Sequence, residues 1–230
     1  MNLAPRRRSV AASLGMLPLL AACGGLLPKP PERQLYRLTA TPVFRAGLPR
    51  VPAQLLVATP TSLAAFDTAR IALSRSAITL EYFADAEWAD RAPFVVQAAL
   101  IDAFEKSRVF SGISSESSGL QADFVLATEV RDFAAVYDSP NGPPRVRVQL
   151  NAELIRMPGR KILAETVATG EAAAAGNDLP VIVQSFGSAL GVAASDLVNW
   201  AAGVALSAGR GSVKSRADTF RSPSSTRQRL

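Results

Sequence analysis

The chain has 230 residues, 48% of them hydrophobic, and a formal net charge of +6; that length suffices for one domain with a sizeable core. It contains no histidine and one cysteine, which excludes a Cys/His metal cluster, an intrachain disulfide and a Cys–His nucleophile. The basic balance lies in the ends, with three arginines and no acid in 1–22 and six bases against Asp218 in 209–230, leaving 16 bases and 18 acids for 23–208; a nucleic-acid binder would concentrate its charge on a folded face, so no nucleic acid is expected as a partner.

Arg6, Arg7 and Arg8 precede a mostly apolar run from Val10 to Ala22. The run is shorter than the ~20 residues a membrane span needs and reads as the core of an export signal. It ends in Leu20-Ala21-Ala22-Cys23-Gly24. Small residues at 21 and 22 suit a signal peptidase, and the Cys23 thiol suits lipid transfer to a thioether. The stretch resembles the lipobox of bacterial lipoproteins. That resemblance implies loss of residues 1–22 and an acylated, membrane-anchoring Cys23; the alternative is a free thiol beside an ordinary signal peptide. It also implies outer-membrane sorting, because Gly24 stands where Asp would retain a lipoprotein in the inner membrane.

Residues 23–33 include Leu26, Leu27, Pro28, Pro30 and Pro31 and read as an extended tether. Gln34 to Ala40 reads as a first strand. Thr41 to Ala53, with Pro42, Gly47, Pro49 and Pro52, reads as a loop. Short apolar runs predict strands at Gln54–Thr59, Ala69–Arg75 and Ile78–Phe83, the last with Ile78, Leu80 and Tyr82 on one face. Ala84 to Arg91 reads as a polar turn carrying Trp88. A helix is predicted over 92–110, capped by Asp90, with Pro93 in its first turn and Val96, Leu100, Ala103 and Phe104 at helical spacing. Ser111 to Gly119 is loop-like, with room for a short strand at its start.

Long strands are predicted at 122–137, 145–156 and 161–172, joined by turns at Asn141-Gly142 and Pro158-Gly159. The middle one alternates most cleanly: Val146, Val148, Leu150, Ala152 and Leu154 face one way, and Arg145, Arg147, Gln149, Asn151 and Glu153 the other. That pattern predicts an antiparallel sheet with one solvated face. Ile182, Phe186, Leu190, Ala193, Leu197, Trp200 and Val204 step by three or four and predict a long amphipathic helix, capped by Asn177 or Asp178. Asp196 and Asn199 argue against a membrane span there. Gly187, Gly191 and Gly203 are read as letting this helix approach the sheet. From residue 209 the composition predicts a disordered basic tail.

The expected architecture is one two-layer α/β (α+β) domain over 34–208: a mixed, largely antiparallel sheet with two main helices on one face. Within it, Trp88 is the candidate interface anchor, the alternative being a ring folded over the Pro93 end of the helix. Tyr82 is a weaker candidate, set against core packing. Asp85, Glu87 and Asp90 show neither the fixed separation of glycosidase carboxylates nor a calcium ligand set. Gly187-Ser188-Ala189-Leu190-Gly191 is not a nucleophile elbow. No catalytic residue, metal or cofactor is expected.

A lipobox, then Tyr36-Arg37-Leu38, Arg70-Ile71, Leu80-Glu81-Tyr82, Trp88-Ala89-Asp90, Pro93, Gln97 and Ser107-Arg108-Val109-Phe110 together resemble the ABC-type transport auxiliary lipoprotein family of the paraquat-inducible protein C type, over about residues 34–206. The resemblance implies a non-enzymatic periplasmic lipoprotein on the outer membrane. Its implied partners are an ABC permease and ATPase and a subunit with an MCE (mammalian cell entry) domain, in a system moving lipids or other hydrophobic molecules. Self-association is left open. A second class is a lipoprotein that itself carries a lipid or small ligand, which needs an apolar cavity between sheet and helices.

Overall fold

The fold is described from a computed structural model covering residues 33–219 apart from 117, 118 and 120, with side chains to 209. Cys23, the export signal and the proline tether lie outside the described residues. The strands are β1 (Gln34–Tyr36), β2 (Val51–Val57), β3 (Thr61–Ser62), β4 (Arg70–Ser76), β5 (Thr79–Trp88), β6 (Phe110–Ser115), β7 (Phe124–Val136), β8 (Arg145–Arg156) and β9 (Lys161–Ala173); the helices are α1 (Ala92–Ser107) and α2 (Leu179–Thr219).

β7 is the spine of the sheet. Along one edge it pairs antiparallel with β8 over nearly its whole length, and β8 pairs antiparallel with β9. Along the other edge three short strands follow one another, all parallel to it: β2 at Phe124, β3 at Glu129 and β4 at Ala134. β2 carries β6 outward, and β4 carries β5 and then β1. The predicted mixed sheet is therefore found, its two longest ladders antiparallel.

The alternation in β8 gives the expected two faces. Val146, Val148, Leu150 and Leu154 are fully buried, and Arg145 and Arg147 are exposed. α2 lies over the buried face of β8 and β9 and also contacts α1. Its Ile182, Phe186, Leu190, Ala193 and Leu197 are completely buried, as their spacing predicts; Trp200 and Val204 are half-buried. Leu179–Gly209 is long and apolar enough to cross a membrane, yet 72% of its apolar window is buried inside the domain. It is the core helix of the fold.

Several boundaries differ from the sequence reading. β2 starts at Val51, inside the predicted loop, because Val51 N–H reaches the Val109 carbonyl at 2.7 Å. β6 fills the start of the serine-rich segment by pairing parallel with β2. α1 stops at Ser107, before Gly112, with Arg108 in the left-handed region at φ 52 and its N–H on Glu105 O. Arg91, not Asp90, holds the N-cap position, and it makes no side-chain cap bond. α2 continues as helix to Thr219, past the residue-209 limit set by composition.

The largest correction concerns Ala84–Arg91, which is not a polar turn: β5 runs through it to Trp88. Ala86 and Trp88 are 4% and 1% exposed, with Glu87 between them pointing out to Arg33. The stretch is thus an in–out strand. Against β4, Tyr82 opposes Ala72 and Glu87 opposes Arg70, so β5 carries extra residues between them. Asp85, at φ 54, lies in that bulge. The bulge changes which face the following residues use.

Candidate docking surface

The two aromatic candidates sit on opposite sides of the bulge. Trp88 N–H bonds Ala69 O at 2.7 Å, drawing the end of β5 beneath α2. Its ring meets Phe133 at 5.7 Å and Phe186 at 5.1 Å, and those two rings meet at 5.0 Å. This triad joins β5, β7 and α2. Trp88 is therefore a core residue, and the exposed anchor expected of it is not present; a 1% exposed ring cannot touch a partner. Its Nε1 has no hydrogen-bond partner.

Tyr82 is half-exposed. Its hydroxyl donates to Ala65 O at 3.0 Å, and the Arg70 guanidinium stacks on its ring at 3.8 Å. These contacts fasten the 63–66 segment to β5. The result is an apolar rim: Ile78 at the tip of the β4–β5 hairpin is 95% exposed, Leu63 55% and Leu80 37%. The sequence placed Ile78 and Leu80 on a strand face with Tyr82; the structure leaves that face in solvent.

Beside the rim lies an open groove of about 600 Å³ lined by Leu63, Phe66, Ile78, Leu80, Tyr137 and Arg147. Its charges are mostly matched: Arg147 Nε donates to Asp132 at 2.6 Å, Arg145 pairs with Asp138 at 2.9 Å, and Arg75 faces Glu81 at 3.8 Å. Arg75 also lies over the Tyr137 ring at 4.8 Å. Burial pushes the Tyr137 hydroxyl above its ordinary value, opposed by the Arg75 charge. An exposed aliphatic rim with neutralised polar flanks is chemically suited to contact, not to bond-making.

The other candidates fall where catalysis is not assembled. Glu87 pairs with Arg33, Asp90 accepts from the Arg91 backbone N–H at 2.7 Å, and Asp85 stands in the bulge. Ser188 is on the exposed side of α2, its hydroxyl on Gln184 O. Among the described residues, no group of three or more acidic, His or Cys side chains could hold a metal.

The α2 glycines do not face the sheet. A side chain at Gly187 would strike Thr39 O, one at Gly191 would strike Thr41, and Gly203 has open space. What passes over Gly187 and Gly191 is the chain between β1 and β2, here called the strap. It is held by Thr41 N–H on Gly187 O at 3.2 Å and Val43 N–H on Ser195 Oγ at 3.0 Å. The glycine that does bring α2 to the sheet is Gly170 on β9, against Ala189. Sequence reading missed the strap; its signal was the in–out alternation from Leu35 to Arg45, interrupted by Pro42.

A crystal structure of a Xanthomonas campestris protein has the same fold, with a TM-score of 0.71 at 24% identity, covering 77% of this chain and 99% of that one. The crystal structure of an uncharacterized protein follows at 0.55 and 14% identity, covering 70% and 97%. An uncharacterized protein of Bradyrhizobium diazoefficiens is 28% identical over 171 residues, 74% of this chain but 45% of that protein. The chain spans about half the length of that curated relative. The family model for the ABC-type transport auxiliary lipoprotein component matches residues 36–198, from β1 through most of α2. The match takes in the strap, the bulged β5 with Tyr82 and Trp88, and the spine strand, so the chain belongs to the ABC-type transport auxiliary lipoprotein component family, a family of cell-envelope lipoproteins.

Proposed function

We propose that this protein is a non-enzymatic accessory subunit of an ABC-type system that moves lipids or other hydrophobic molecules between membranes. Cys23 carries the acyl anchor, residues 23–33 form the tether, and 34–208 form the docking body, on the periplasmic side of the outer membrane. The partners in this reading are the permease and ATPase and an MCE-domain subunit. The observation that carries it is the family match across 36–198.

Two features support docking over carriage. The space between sheet and α2 is filled by Trp88, Phe133, Phe186, Leu126, Leu150 and Leu190, each at most 1% exposed. The groove beside Ile78 is open to solvent, and it is rimmed by side chains suited to a protein contact. Fractionation tests the anchor: a Cys23→Ser variant should fold and leave the membrane fraction. A variant that stays membrane-bound overturns the anchor.

A further inference from the structure

The strap has a regular outer row. From Leu35 to Arg45 every odd-numbered residue is exposed and every even-numbered one is half-buried or buried. An extended chain does this when one face lies on a support, and the support is α2 with its glycines at 187 and 191. The outer row reads Leu35, Arg37, Thr39, Thr41, Val43, Arg45, with Leu35 64% and Val43 83% exposed. Val192 of α2, next to the Gly191 contact, is 47% exposed beside it. No Asp or Glu occurs between Arg33 and Phe66. Arg33 pairs with Glu87, whereas Arg37 and Arg45 have no ion pair or side-chain hydrogen bond among the described residues.

We propose that this row rests on an anionic lipid surface, laying the strap side of α2 against the membrane to which Cys23 is fixed. The inference rests on the anchor reading above. Cys23 precedes Leu35 by twelve residues, at most about 40 Å of chain, so the row starts within reach of the bilayer. Aliphatic side chains interleaved with unpaired arginines match an interface of acyl chains under phosphate headgroups. The other apolar rim is directed elsewhere: β1 pairs with the Glu87 end of β5, and Ile78 lies beyond the opposite end of that strand, on the order of 25 Å away. One surface then meets lipid, and the far one stays free for protein.

The test uses full-length acylated protein in vesicles. With Cys23 acylated, Val43→Cys supplies the single free thiol for an environment-sensitive fluorophore, and Ile78→Cys is the distal control. In phosphatidylglycerol vesicles carrying a lipid-borne quencher, the residue-43 probe should be quenched and the residue-78 probe should not. Phosphatidylcholine, high salt, or the Arg37→Glu/Arg45→Glu double variant should lower the docked fraction by on the order of tenfold or more. A residue-43 probe that stays unquenched on protein that floats with the vesicles overturns the proposal alone. So does quenching indifferent to headgroup charge. Protein that fails to float overturns the anchor reading, and the proposal with it.

Discussion

Gly191 and Thr41 meet backbone to backbone: a Cβ at position 191 would sit 2.6 Å from the Thr41 carbonyl carbon and oxygen. This contact, repeated one turn earlier at Gly187, clamps the strap to the central helix. Any pull from a membrane anchor enters the fold through β1 and the strap, and β1 contributes only three paired residues. Gly191→Ala should therefore cost about 1–3 kcal/mol, the usual range for overpacking. Urea unfolding measures it, and limited proteolysis should find new cleavage between residues 37 and 50. An alanine as stable as wild type would mean that the strap is not clamped there.

Trp88 offers a second test, separating core from surface. Its ring completes the triad with Phe133 and Phe186. Trp88→Ala should cost about 3–5 kcal/mol, and Trp88→Phe much less, since phenylalanine keeps ring contacts and removes an unpartnered buried N–H. Thermal unfolding ranks the two. Comparing wild type with Trp200→Phe, the emission of Trp88 should be blue-shifted and insensitive to iodide.

The exposed rim should behave in the opposite way. Leu63→Glu and Ile78→Glu change side chains that are mostly in solvent, so unfolding midpoints should move by less than about 0.5 kcal/mol. Recovery of the transporter partner should fall sharply. Intact recovery with both substitutions present would place the docking surface elsewhere.

Tyr137 carries the pH dependence. Its folded-state pKa is raised by burial, with Arg75 pulling it back. A raised acid pKa leaves stability intact below the ordinary tyrosine value near 10 and removes it as pH climbs from there through the folded-state value. Phenolate absorbance, compared between wild type and Tyr137→Phe, should give a midpoint above the ordinary value. Arg75→Ala should raise it further. A midpoint lowered by that substitution would contradict the assigned cause.

How much of this was legible from sequence depended on how local each determinant was. β8 could be read because one face is wet and Val146 to Leu154 alternate without interruption. α2 could be read because Ile182 to Leu197 keep a helical period through the core. Trp88 was misplaced because Asp85, Glu87 and Asp90 look like a turn, and the bulge at Asp85 that swings Ala86 and Trp88 inward is fixed by pairing with β4. Gly187 and Gly191 were correctly singled out for close approach. Their partner was missed, since Pro42, Gly47 and Pro49 made the strap look like free loop. The rim at Leu63, Ile78 and Leu80 depends on the Tyr82–Ala65 bond, which joins segments 17 residues apart.

The most direct test of the central claim is affinity purification of the acylated protein from detergent-solubilised native membranes, with Leu63→Glu/Ile78→Glu as the control. An accessory transport subunit predicts co-purification of an ABC permease, its ATPase or an MCE-domain subunit with wild type, and their loss with the control. Recovery of none of these with wild-type protein would contradict it.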